Sequence, residues 1–285
     1  MFTSLNPAAL LPARGWGLLV CGFVVGCGGD LPALPAEPTP DALSVNFLLQ
    51  HGGTPPEFQD PQGQKTPAER VYGFIGRVSD PARKPMSAVY DASASINGVP
   101  LRVRRAGGWY DGTSRPLESE YNYYSDSLAV RPGAEYTLVV EHGGERLVST
   151  TRVPGEFRLT GLNGSPDGAT LRRGEPLVIA WTRAEGAPLY AVTVRSTPDP
   201  GLIEVTTRHP FMTADTTATL DLTASRAGPI PVVVEIRAMD ANLYRASAFR
   251  DPRAGIENGY GFVGSANVVR HRATLHVNEP SQEDP

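Results

Sequence analysis

From Val71 onward, apolar and polar residues alternate mostly with a period of two, and that property restricts the chain to half-buried β-strands. The runs VYGFIGRVS, DASASI, PLRVRR, EYTLVVEH and ERLVSTTRV are short, rich in β-branched residues or alternation, and bounded by Gly, Pro or Asn. His142-Gly143-Gly144-Glu145, between the last two runs, predicts a tight hairpin. The pattern restarts after Pro154, with strands predicted over 175–181, 189–194, 217–222, 230–238 and 268–277. A short strand is also predicted over 45–49. The stretch 239–267 is long for a connection inside a compact domain, and 241–249 within it predicts a short helix. A chain of 285 residues patterned in this way predicts an all-β fold of two tandem β-sandwiches. The first covers 45–154; the second covers 155–280, carries 239–267 as an insertion, and is followed by a tail of 281–285.

Composition removes whole classes of protein. Apolar residues are 40% and charged residues 20%, with 27 Pro and 30 Gly, which excludes a multi-pass membrane protein, a coiled coil and a fully disordered chain. Two Cys and the scattered His51, His142, His209, His271 and His276 argue against a disulfide scaffold and a zinc module. A net charge of −4 gives no electrostatic reason to expect nucleic acid as a partner.

The N-terminus is built differently. Residues 1–14 hold no acid and one base, Arg14, and 15–26 read GWGLLVCGFVVG. That apolar run is too short to span a bilayer core as a helix, which takes about 20 residues, and has the layout of a secretory signal. Val24-Val25-Gly26-Cys27 resembles the lipobox of bacterial lipoproteins. The resemblance implies a signal peptide over 1–26 and a Cys27 carrying a diacylglycerol and a third, palmitate-type acyl chain. It implies placement at the outer membrane as well, because Gly28 and not Asp follows the cysteine. Loss of 1–26 leaves 25 basic and 30 acidic residues, and no unblocked thiol for a disulfide or a cysteine nucleophile. Residues 27–44 form a Pro-rich tether, extended and semi-stiff, with a reach of roughly 50 Å.

Two further blocks carry a fold resemblance. Pro132-Gly133-Ala134-Glu135-Tyr136, leading into a strand, resembles the tyrosine corner of immunoglobulin-like sandwiches. The strand ending at Trp181 and the next one, holding Tyr190, are similar to strands B and C of fibronectin type III domains. The lipobox, the block LAVRPGAEYTLVVEHGGERLVSTTRVP (128–154) and GIENGYGFVGS (255–265) together resemble a domain-of-unknown-function family of Gram-negative outer-membrane lipoproteins. Its members carry such modules and are often encoded beside TonB-dependent receptors. The resemblance implies a location, a fold and a receptor as partner; it brings no reaction.

Residues that could carry chemistry are sparse. Residues 259–264 read G-x-G-x-x-G but lack the following helix that a dinucleotide site needs, so they predict a tight irregular loop packing Tyr260 and Phe262. His271 and His276 lie five apart on a predicted strand and face opposite ways. Glu118, Glu120 and Asp126 surround the tyrosines, but Glu118 and Glu120 lie side by side on an extended chain and cannot flank a glycosidic bond from opposite sides as hydrolysis demands. The aromatics nearby are better suited to binding. Trp109, Tyr110, Tyr121, Tyr123, Tyr260 and Phe262 form the candidate surface for a glycan, peptide or protein partner. Alternation sends Tyr121 and Tyr123 to one face and Tyr124 to the other. Arg outnumbers Lys 24 to 2, which fits bidentate contact with a lipid or polysaccharide, although genomic base composition explains it more simply. The sequence therefore reads as a lipid-anchored, non-enzymatic accessory module for a membrane receptor or transporter, without cofactor or metal. A structural spacer or adhesion element is the alternative, and a surface glycan hydrolase the third reading.

Overall fold

A computed structural model describes residues 41–52, 70–78, 86–103, 121–197, 199–205, 211–246, 254–256 and 260–278. The first half supplies β1 (Leu43–His51), β2 (Arg70–Val78), β3 (Met86–Ala88), β4 (Ser93–Ile96), β5 (Val99–Pro100), β6 (Arg102–Val103), β7 (Tyr123–Ser125), β8 (Glu135–His142) and β9 (Glu145–Arg152). Next come β10 (Leu159–Leu162), β11 (Gly168–Arg172), β12 (Leu177–Trp181), β13 (Leu189–Ser196), β14 (Ile203–Val205), β15 (Phe211–Thr213), β16 (Thr217–Leu220), β17 (Leu222–Ala224) and β18 (Gly228–Met239). A single helical turn, α1 (Ala241–Tyr244), and the long strand β19 (Tyr260–Asn278) complete the described chain. The fold is all-β, and its sheets stack as immunoglobulin-like sandwiches.

Two apolar cores follow from the alternation. In the first, Phe47, Ile75 and Tyr123 from the β1–β2–β7 sheet meet Ile96, Leu138, Val140 and Leu147 from the β5–β4–β8–β9 sheet. In the second, Tyr190, Val192, Ile230 and Leu275 from β13, β18 and β19 meet Leu162, Ile179, Trp181 and Leu220 from β10, β12 and β16. The tyrosine corner is present: Tyr136 Oη donates to Ala129 O at 2.9 Å and accepts from Arg131 N at 2.8 Å. In the second core Trp181 packs edge-on to Tyr190 with ring centroids 5.3 Å apart, and Tyr190 Oη accepts from Ala184 N at 2.8 Å. The predicted hairpin forms as well, with Gly143 and Gly144 both at positive φ, as a two-residue turn matching the strand twist requires.

The two sandwiches share a strand. Tyr260–Asn267 of β19 pairs in parallel with β1, and Gly168–Arg172 pairs in parallel with the far end of β19. On its other edge β18 runs antiparallel from Ala266 to Val277. The described parts of the expected insertion over 239–267 thus contribute to the first sandwich, which takes Ile256 and Val263 into its core. α1 and residues 254–256 close that sandwich where β18 ends. Ile256 bridges to Ser149 of β9, Ser149 Oγ donates to Gly255 O, and Val263 N donates to Ala254 O. A buried polar knot pins the seam: Asp240 accepts from Leu243 N as the helix N-cap and from Thr151 Oγ1, which also contacts Ser265 Oγ. Burial raises the Asp240 carboxyl above the usual Asp value, against the pull of those hydrogen bonds.

The glycine sequence at 259–264 is explained by close approach and not by a loop, which corrects the reading of 260–264 as irregular. Gly261 sits at φ +108° inside β19, where a Cβ would come within 1.9 Å of Val45 O on β1. At Gly264 a Cβ would meet Leu243 of α1 at 2.8 Å. Gly259 lies outside the described residues. Pro229 and Pro231 also have a positional reason. They occupy the part of β18 before its pairing with β13 begins at Val232, so they leave that outer ladder without a demand for their missing N–H.

Candidate binding surface

Pairing register decides which side chains share a side of the sheet. On β1 the odd positions Val45, Phe47 and Leu49 enter the core, so Ser44, Asn46, Leu48 and Gln50 take the opposite side. The register places Phe262 and Phe74 on either flank of Asn46, and Gly264 and Tyr72 on either flank of Leu48. Tyr124 continues the second row from Tyr72, and Arg102 follows it. Tyr260 stands beside Ser44. Phe74, Tyr72, Tyr121, Tyr124, Tyr260 and Phe262 are all half-buried.

Tyr121 joins this side by a turn of the backbone. β7 begins only at Tyr123, and the residue before it, Asn122, is buried and fully engaged. Its Oδ1 accepts from Ile75 N at 2.8 Å, while its Nδ2 donates to Ile75 O at 2.8 Å and Val89 O at 2.7 Å. This side chain fills the step along β2 between the segment paired with β7 and the segment paired with β3. Tyr121 consequently folds back over the tyrosines, its ring 5.6 Å from Tyr72 and 6.3 Å from Tyr124. The expectation that alternation groups Tyr121 with Tyr123 is therefore corrected, because strand geometry has not yet begun at position 121.

Tyr123 also leaves the candidate surface. It is fully buried in the first core, with its hydroxyl accepting from Ala92 N at 3.0 Å and donating to Ala92 O at 3.2 Å. Burial pushes its pKa up, opposed by the Ala92 contact and aided by Asp91. Cys27, Trp109, Tyr110, Glu118, Glu120 and His209 lie outside the described residues. Sequence reasoning missed Tyr72 and Phe74, although VYGFIGRV alternates plainly. Their aromatic side reads as core until the register shows Val71 and Ile75 pointing inward and these two outward.

A concavity of about 540 Å³ opens between β2 and the segment leading to β4, and is lined by Arg77, Ser87, Tyr90, Asp91 and His142. Arg77 Nη2 donates to His142 Nδ1 at 3.0 Å, so the ring proton resides on Nε2, which donates to Asp91 Oδ1 at 3.1 Å. The other Arg77 nitrogen pairs with Glu145 Oε1 at 2.9 Å and with Asp41 O. These polar groups satisfy one another and tie the β8–β9 hairpin to β2; neither ring nitrogen of His142 is left to act as a base. The remaining histidines are dispersed. His51 Nδ1 lies 2.6 Å from Val130 O, whereas His271 and His276 take opposite sides of β19. Asp126 pairs with Arg102. Among the described residues no three His, Cys, Asp or Glu side chains come together to hold a metal.

No family model matches the chain, and no curated protein matches it. Solved structures with a similar arrangement include domains 4 and 5 of the S-layer protein SbsC, at 10% identity over 82% of this chain and 96% of that one, with a TM-score of 0.22. A titin immunoglobulin tandem is likewise 10% identical, over 85% of this chain and all of that one, with a TM-score of 0.22. At this level of similarity nothing about partners or activity passes from them to this chain.

Proposed function

We propose that the protein is a non-catalytic accessory module of the outer membrane, acylated at Cys27, which offers the aromatic side of its first sandwich to a partner at that membrane. A TonB-dependent receptor is the partner that the family resemblance implies. One observation carries the reading: Tyr121 and Tyr124, and Tyr260 and Phe262, far apart in sequence, lie on one side of one sheet, joined by Tyr72 and Phe74. Tyrosine and phenylalanine rings on a rigid sheet give amphipathic contact area at small entropic cost, which suits a peptide or glycan on the partner. The lipobox and Pro-rich tether support the anchor, since two or more acyl chains hold a protein to a bilayer.

Affinity purification from detergent-solubilised membranes tests this. The wild-type chain retains a membrane-protein partner, and Tyr121→Ala/Tyr124→Ala loses it by at least about tenfold, the scale of an aromatic interface anchor. Retention of wild-type capture by a folded double variant, or an anchored chain with no partner at all, overturns the reading. The alternative is a spacer, favoured by the continuous β19 that joins the two sandwiches. A spacer predicts wild-type behaviour from that same double variant.

A further inference from the structure

On the side of the sheet facing away from the second core, three adjacent strands present arginines. β13 carries Arg195, β18 carries Glu235 and Arg237, and β19 carries Arg270 and Arg272. The register aligns Glu235 with Arg270, and in the next row Arg195, Val233 and Arg272. Among the described residues Glu235 pairs with both Arg237 and Arg270 in the middle of this cluster. Arg270 Nε reaches Glu235 Oε2 at 2.6 Å, and Arg237 Nη2 reaches the other oxygen at 3.4 Å. Glu235 is buried beneath the guanidinium groups, while Arg195 and Arg272 are exposed. Arg270 Nη1 is buried and has no hydrogen-bond partner. Its pKa is drawn down by burial, a fall that Glu235 opposes and Arg195 and Arg237 add to.

Such an array costs repulsion in the folded protein, and nothing in either core requires it. The chain as a whole is anionic, with a net charge of −4, so a positive face is a local concentration against the general balance. The arginines stand on a sheet face, spread over strands about 4.8 Å apart, and not around a cleft. A planar display of guanidinium groups complements a planar display of phosphates.

We propose that this face of β13, β18 and β19 docks on the anionic phosphate headgroups of a lipid bilayer, laying the second sandwich against the membrane. For the bilayer that holds Cys27 the proposal rests on the anchored reading above, and the dimensions agree. Arg270 and Arg272 lie ten to twelve residues along β19 from Tyr260, which neighbours the start of β1, a span of about 33–40 Å. The reach expected from the Pro-rich sequence of 27–44, roughly 50 Å, covers that distance. The docking surface itself requires no acyl chain.

The test uses the full chain with Cys27→Ser, which cannot be acylated, sedimented with vesicles of phosphatidylcholine alone or containing 30% phosphatidylglycerol. The chain partitions preferentially to the anionic vesicles, and 0.5 M salt abolishes the preference, because exposed charges are screened over about 4 Å at that strength. Arg195→Gln/Arg272→Gln, both exposed, lowers the preference about 25-fold, or fivefold per arginine, with an unchanged unfolding midpoint. Equal partition to both vesicle types overturns the proposal, as does a double variant that binds like wild type. Capture by an acidic polysaccharide without preference for anionic vesicles also overturns it, assigning the face to a different polyanion. None of these outcomes bears on whether Cys27 is acylated, which the mass of the mature protein from membranes reports separately.

Discussion

Gly228 and Gly261 form a matched pair with nearly identical φ angles and opposite surroundings. Their φ angles are +106° and +108°, so alanine incurs similar conformational strain at either site, about 1–2 kcal/mol. A Cβ on Gly228 meets nothing within 4 Å, whereas a Cβ on Gly261 lies 1.9 Å from the carbonyl oxygen of Val45. That obstacle is backbone and cannot rotate away. Relief requires β1 and β19 to part by more than an ångström at Val45, breaking neighbouring ladder bonds that contribute about 0.5–1.5 kcal/mol each. Adding the strain and the lost packing beside Phe47 and Val263 gives about 3–5 kcal/mol for Gly261→Ala, against about 1–2 for Gly228→Ala. Equilibrium urea unfolding at 25 °C, followed by far-ultraviolet circular dichroism, measures both. Losses within about 0.5 kcal/mol of each other would falsify the claim that the glycine is there for strand approach.

Other substitutions probe separate elements. Tyr136→Phe removes the hydroxyl that donates to Ala129 O and accepts from Arg131 N, and is expected to cost about 1–3 kcal/mol in the same unfolding assay; a neutral change would deny the corner a stabilising role. Asp240 has a raised pKa in the folded state, so the native protein holds its proton more tightly than the unfolded chain does. Its contribution is present below the unfolded value, near 3.9, and is lost as pH rises through the raised folded value. Asp240→Asn keeps an N-cap acceptor for Leu243 N and removes this slope, so the variant gains on wild type between pH 4 and pH 8 in urea midpoints. A constant difference across that range would show that the carboxyl does not titrate differently on folding.

Much of the architecture was legible because alternation is a direct record of half-burial. β8 buries Tyr136, Leu138 and Val140 and turns Thr137 and Val139 outward, as its sequence declares. Tyr136 and the Trp181–Tyr190 pair were legible for a second reason: each needs a specific partner a short distance along the chain. The shared strand was hidden because Gly261 and Gly264 interrupt the apolar rhythm at the points where another backbone comes close. Glycine chosen for absence of a side chain reads, in one dimension, like glycine chosen for a turn. Asn122 was equally opaque, since its role depends on Ile75 and Val89, residues distant in sequence that meet it only in the fold. The arginine face could not be read as a cluster, because Arg195, Arg237 and Arg270 become neighbours only through strand pairing.

The parallel pairing of β1 with β19 places the first described strand beside the last, with Ser44 opposite Tyr260. Contacts so distant along the chain close large loops and form late. A growing or translocating chain can therefore display β8, β9 and their hairpin well before β1 gains the neighbour that completes its sheet. Until β19 arrives, β1 keeps an open edge, the kind of edge that recruits strands from other molecules. Loss of the C-terminal strand would accordingly harm the N-terminal half as well as its own.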